Sequence, residues 1–172
     1  MVAARSPGKK PLEEVFRGEK VDRIGQREPI TVFPQTTLGE TLDRLRAAPG
    51  ACVVVVERWG DRLKPAGIFT QRDYLMKLAG APEEGLEALP IERFMTPRPA
   101  TLSREATLGT AIQQLTKGGY RHLPLVDDEG NLVGVLSVED IIVFLAELFP
   151  MDCINLPPRL HQHHDIGSRE GG

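Results

Sequence analysis

The chain has 172 residues, a formal net charge of −3 and 41% hydrophobic residues. That length accommodates one domain or two small ones, and the acidic balance supplies no global basic field to recruit nucleic acid or an anionic membrane. Two cysteines, Cys52 and Cys153, cannot build a disulfide framework and suit a reducing cytosol. The stretch Met1 to Pro11 lacks the apolar core of a signal peptide, and the longest strongly apolar run, Ile141 to Phe149, is too short to span a bilayer. A cytoplasmic protein is expected.

Residues 1–10, with Ser, Pro, Gly and lysines, predict no fixed structure. From Leu12 to Ile24 the apolar positions predict an N-terminal helix interrupted or ended near Gly18. Pro29 to Pro34 is a short extended segment whose prolines confine it to a sheet edge. Thr37 caps a helix over 38–48, with Glu40 at the third position to complete a capping box. Pro49-Gly50 ends it. The β-branched run Ala51 to Val56 predicts a strand buried on both faces. A turn at Trp59-Gly60 leads to a strand over 65–69, and Thr70 opens a helix through Leu78 that Gly80 closes. Residues 81–90 form an acidic connector.

The second half replays the first. Ile91 to Met95 predicts a helical turn and Pro97 to Leu102 an extended segment. Thr107 caps a helix that Gly118-Gly119 ends, and Arg121 to Val126 is a strand. Asp128 to Asn131 is a hairpin turn before a strand over 132–136. Ser137 caps a last helix to about Phe149. The remaining tail has no periodicity.

The two halves share a phrase: Gly67-x-x-Thr70-x-x-Asp73 and Gly134-x-x-Ser137-x-x-Asp140. Each hydroxyl falls at a helix N-cap and each aspartate three residues later. Thr37-Leu38-Gly39 likewise matches Thr107-Leu108-Gly109, at a spacing three residues longer. The longer 56–67 connection, with the polar tip Glu57 to Arg62, absorbs the difference where insertions are tolerated. This is a tandem duplication.

This order of elements, closed by hydroxyl–x–x–Asp, resembles the CBS domain, and two copies resemble a CBS pair, or Bateman module, over about residues 21–149. Phe94-Met95-Thr96-Pro97, Thr107-Leu108 and Tyr120-Arg121-His122-Leu123-Pro124-Leu125-Val126 carry the resemblance further. It implies an α/β (α+β) fold of two tandem CBS domains, each a small sheet packed against two helices, related by pseudo-twofold symmetry. The expected divisions are 1–20 (tail and helix), 21–80, a linker over 81–90, 91–150 and a flexible tail over 151–172. The resemblance further implies a regulatory, ligand-sensing module with two clefts, many of which bind AMP, ADP, ATP or S-adenosylmethionine. By motif match Asp73 and Asp140 would accept ribose hydroxyls, and Thr70 and Ser137 would bond phosphate. Adenine would lie among Thr31, Val53 and Val54 in one cleft, or Thr101, Leu123 and Pro124 in the other. A helix N-terminus suits an anion and a carboxylate suits a vicinal diol.

Each signal also has a plainer reading. The paired hydroxyls and aspartates serve as helix caps whether or not they touch ligand. Arg121 and His122 are either phosphate cations or a surface arginine and a half-buried structural histidine. The first half has Ala51-Cys52 at their place, so the second cleft is expected to bind more strongly; in the first, Arg72 is either a substitute cation or, as is commoner for an arginine at the second helix position, simply solvated. His161-x-His163-His164-Asp165 has metal-ligand residue types, but no cysteine in ligand spacing. Cys52 reads as a small buried hydrophobe. Leu75, Met76 and Leu78, with Ile141, Ile142, Phe144, Leu145 and Leu148, read as core, and the resemblance adds helix faces that pair two copies into a homodimer. No nucleophile–base pair, phosphate loop or metalloprotease signature appears, so no catalytic residue, metal or cofactor is expected. The expected partners are an adenine nucleotide, a second copy and an unidentified protein target. The rival reading is a structural dimerisation module with vestigial clefts.

Overall fold

The computed structural model describes residues 11–24, 28–48, 51–78 and 85–149. The expected breaks at Pro49-Gly50 and Gly80, residues 1–10 and the histidine-containing tail lie outside the described residues. The elements run α1 (Leu12–Gly18), a 3-10 turn Val21–Arg23, β1 (Ile30–Val32), α2 (Leu38–Ala47), β2 (Val53–Trp59), β3 (Arg62–Phe69) and α3 (Gln71–Leu78). After 3-10 turns at Leu86–Ala88 and Ile91–Arg93 come β4 (Thr96–Pro97), β5 (Leu102–Ser103), α4 (Leu108–Gly118), β6 (His122–Val126), β7 (Leu132–Ser137) and α5 (Val138–Leu148).

These make an α/β fold with two small mixed sheets, ordered β1-β2-β3-β4 and β5-β6-β7. In each sheet the first strand lies parallel to the second, and the next forms an antiparallel hairpin with it. Proline positions follow the pairing. β1, bracketed by Pro29 and Pro34, is an edge strand. Pro65 sits opposite Val56, beside a register irregularity between Val55 and Val56. Pro124 lies in the middle strand of its sheet, but β5 pairs only with Leu125 and Val126, so β6 is an edge at that residue.

Local chemistry sets the ends. The hairpin is longer than its apolar residues suggest, because Trp59 pairs with Arg62 across a turn in which Gly60 takes a φ of 61°. Thr37 Oγ1 accepts from Glu40 N at 3.2 Å, as expected. The second half of that capping box does not form: Glu40 Oε1 accepts from Arg44 Nη2 at 2.7 Å, one turn along. Gly119 ends α4 in the left-handed region.

The expected extended segment 97–102 is divided. β4 pairs with β3 in the first sheet and β5 with β6 in the second. Between them Arg98 turns the chain at a φ of 49°, so the segment joins the two sheets rather than lying in one.

The leading segments cross. Val15 and Val21 are buried in the second repeat's core with Leu102, Leu108, Leu115 and Leu136. Val21 N donates to Ala106 O at 3.0 Å and Leu108 N to Glu19 O at 2.8 Å. Reciprocally, Ile91 is buried in the first repeat's core with Leu38, Val53 and Phe69, and Leu38 N donates to Leu89 O at 2.8 Å. Cys52, Val54, Val56 and Val135 form a third cluster that joins the halves. Small repeats of about 60 residues gain buried apolar area by such exchange.

A further expectation fails. Leu75 and Met76 are 63% and 80% exposed, and α3 buries none of its residues. On α5, Ile141 is buried and Phe144 and Leu145 partly so, while Ile142 and Val143 are exposed. The apolar stripe therefore divides into a core side and a solvent side.

Candidate functional site

The site is built from the two repeated phrases. At α3, Thr70 N and Oγ1 donate to Asp73 Oδ2 at 3.0 and 2.8 Å, and Asp73 N donates to Thr70 Oγ1 at 3.3 Å. At α5, Ser137 N and Oγ donate to Asp140 Oδ2 at 2.9 and 2.6 Å, and Asp140 N donates to Ser137 Oγ at 3.1 Å. Both are reciprocal caps with aspartate in the place glutamate usually takes. Each hydroxyl directs its one proton to the carboxylate. It could donate to a phosphate only after turning away.

The copies differ beyond the cap. Asp73 Oδ1 accepts from Thr96 Oγ1 at 2.9 Å and pairs with Lys77 Nζ at 2.8 Å. Lys77 Nζ also donates to Phe94 O at 2.8 Å. The carboxylate thus ties α3 to the strand joining the repeats. Partial burial would raise the Asp73 carboxyl, but the hydrogen bonds from Lys77, Thr70 and Thr96 and the Lys77 charge together hold it below its ordinary value. The residue at Lys77's place in the second repeat is Phe144, and Asp140 is buried behind Ser137.

A cleft of about 710 Å³ lies between the repeats, in the size range of small-molecule sites. Thr70, Arg72 and Asp73 line one side, and Ser137, Val138 and Glu139 the other. Arg98 and Pro99 from the joining segment complete it with Tyr120, Arg121 and His122. Arg72 Nη1 donates to Gly119 O at 3.1 Å, so the first repeat's arginine reaches the end of the second repeat's α4. The cations that the sequence divides between two clefts face one shared space. A shallower depression of about 470 Å³ over α4, lined by Thr110, Gln113 and Lys117, shares Ala100, Gly118 and Tyr120 with it.

Of the residues singled out from sequence, Thr70, Asp73, Ser137, Arg121, His122 and Arg72 meet at the cleft. Val53, Val54 and Leu123 are fully buried in the cores and Pro124 is buried in β6. Thr31 is half-buried on β1, where its carbonyl accepts from Arg44 Nη1 at 2.8 Å. Thr101 is exposed, and its carbonyl accepts from Gln114 Nε2 at 3.0 Å. None of these six nor Asp140 lines the cleft. Arg98, Tyr120 and Glu139 line it without having been marked by the repeat. The one available signal was an arginine between two prolines at the junction of the halves. Among the described residues no group of His, Cys, Asp and Glu is arranged to hold a metal ion.

Chemically, the cleft offers guanidinium groups, helix N-termini and apolar walls from Ile68, Val138 and Ile142. This combination suits an anionic ligand with an apolar or aromatic part.

Comparison with known proteins gives the family. The family model for the CBS domain matches residues 21–80 and again 91–147. An uncharacterized protein of Methanopyrus kandleri is 29% identical over 128 residues, which span 74% of this chain and 63% of that relative. A CBS domain protein of Pyrobaculum aerophilum, solved with AMP, superposes with a TM-score of 0.65 at 23% identity, covering 77% of this chain and 99% of that one. A CBS domain pair solved with methylthioadenosine and S-adenosyl-L-methionine superposes with a TM-score of 0.64 at 24% identity, covering 75% and 97%. No helix among the described residues is long and apolar enough to cross a membrane.

Proposed function

Because the chain belongs to the CBS-domain family and carries two copies of the domain, we propose that it is a regulatory module that binds an adenosine-containing ligand between its repeats. Occupancy is relayed to a partner protein. The observation that carries this reading is the cleft itself, where both helix starts and arginines from both repeats meet. Structural neighbours solved with AMP or with S-adenosyl-L-methionine support the ligand class, and AMP, ADP, ATP and S-adenosylmethionine are the candidates. Ribose would be read by an aspartate of the repeated phrase once its capping bonds rearrange, and phosphate by the arginines and a helix N-terminus.

Relay has a physical route. The joining segment lies against α3 through Thr96–Asp73 and Lys77–Phe94 contacts. A ligand that competes for Asp73 would loosen that tie and shift the two repeats relative to each other. The exposed faces of α3 and α5, with Leu75, Met76, Ile142 and Val143, support a homodimer that would carry such a shift to a second copy.

A thermal-shift series with AMP, ADP, ATP, NAD and S-adenosylmethionine tests the reading. A ligand at 100 times its dissociation constant adds about 2.7 kcal/mol of stability. The absence of any shift would favour the second reading, a dimerisation module whose cleft is vestigial. The bare apolar face of α3 favours that alternative.

A further inference from the structure

Arg98 is the one non-glycine residue with positive φ among the described residues. That backbone region is costly for any residue with a Cβ and natural for glycine. The turn does explain why the chain bends here: Arg98 N donates to Ala66 O at 2.9 Å, where β4 leaves the first sheet. It does not explain an arginine, since glycine would make the same bend without strain. Strained residues concentrate at functional sites, where the side chain is what the strain presents.

The second observation is independent of the backbone. Arg98 lines the cleft with Arg72, on α3, and Arg121, just before β6. The carboxylates of the lining are Asp73 and Glu139, and Asp73 is already balanced by Lys77. Three arginines lining one concave space place like charges there, and water screens their repulsion only in part. A ligand with a chain of negative charges relieves the repulsion, and planar guanidiniums match phosphate oxygens bidentately. A single phosphate offers one anionic group, whereas a phosphate chain offers several to the arginines on α3, on the joining segment and just before β6. A sulfonium nucleoside would add a further positive charge.

We propose that Arg98 determines the specificity of the cleft and that the ligand it selects bears a phosphoanhydride chain, a nucleoside di- or triphosphate, in preference to a monophosphate or a sulfonium nucleoside. The nucleoside half of this inference rests on the nucleotide reading above; the phosphate half does not. Arg98→Gly is the informative variant, because it removes the guanidinium and relieves the backbone together.

Titration calorimetry of the full chain and of Arg98→Gly is run with adenosine, AMP, ADP, ATP, S-adenosylmethionine and inorganic tripolyphosphate. ADP or ATP is expected to bind at least about tenfold more tightly than AMP, the equivalent of one charge-assisted contact. Tripolyphosphate is expected to compete with them. Arg98→Gly should melt at the same temperature or higher without ligand, and should bring ADP to within about threefold of AMP while leaving adenosine unchanged. AMP or S-adenosylmethionine binding as tightly as ATP, or an ADP-to-AMP ratio unaltered in Arg98→Gly, would overturn the inference and leave the nucleotide reading standing. Tripolyphosphate binding as well as ATP, with Arg98→Gly abolishing both and adenosine unbound, would overturn the nucleotide reading and keep the role of Arg98. Binding of none of the six overturns both.

Discussion

Gly67 opens the first copy of the repeated phrase, and its replacement by alanine tests why. A Cβ built at Gly67 would lie 2.2 Å from Met95 Sδ, 2.9 Å from its Cγ and 3.2 Å from its Cβ. Optimal carbon–carbon separation is about 3.5–4.0 Å. The thioether can swing aside, but Met95 Cβ is fixed by its backbone, so residues 94–96 must retreat by tenths of an ångström. Those residues carry the Phe94 carbonyl and the Thr96 hydroxyl that bond Lys77 and Asp73. Overpacking of this kind costs about 1–3 kcal/mol, or a fall of about 4–8 °C for a cost of about 2 kcal/mol in a chain of this length. Met95 is half-buried against the first repeat's core, so Met95→Ala alone should cost about 2 kcal/mol, the low end of such truncations. The two changes should not add. With Met95 trimmed, the obstacle is gone, and Gly67 has a backbone that alanine can adopt, since it is not among the positive-φ glycines. In that background Gly67→Ala should be neutral or stabilising by about 0.4–1 kcal/mol. Urea denaturation of the wild type, both single variants and the double variant gives the coupling, expected to exceed about 1 kcal/mol with m-values unchanged. Equal cost of Gly67→Ala in both backgrounds would refute the clash as the reason for the glycine.

Other outcomes follow from the same contacts. Because the folded Asp73 carboxyl titrates below its ordinary value of 3.8, it contributes stability that is complete above that pH and lost as pH falls through the folded value. Asp73→Asn should therefore flatten the acid limb of stability against pH, and an unaltered limb would show that Lys77 does not hold the carboxylate. Burial between the sheets pushes the Cys52 thiol up to about 12, so iodoacetamide at pH 8 should label Cys52 only as the protein unfolds, read by peptide mass mapping. Leu75→Glu with Met76→Glu should convert a dimer to a monomer by light scattering without lowering the melting temperature of the monomer by more than about 1 °C, since α3 buries neither residue. A wild type that is monomeric across a wide concentration range would remove the dimer from the account.

Sequence alone determined the duplication, the element order and the caps, because these depend on neighbours a few residues apart. Thr37, Thr107 and Ser137 accept from the backbone three residues on, and the valine run of β2 is buried as its composition demands. Placement across the repeats was not legible. Nothing local to Val15 or Val21 says that they fill the second repeat's core, nor to Ile91 that it fills the first. The same holds for the cleft. Arg72 reads as a solvated helix residue until α4 ends beside it, and Arg98 reads as one residue of an extended run until β4 and β5 enter different sheets. Likewise Leu75 and Met76 carry a core composition, and only the folded chain, in which α3 buries none of its residues, leaves them in solvent. Hydrophobic periodicity records which face of a helix is apolar, but not whether the chain itself or another molecule covers it. That choice depends on contacts between residues far apart in sequence, which only the folded chain brings together.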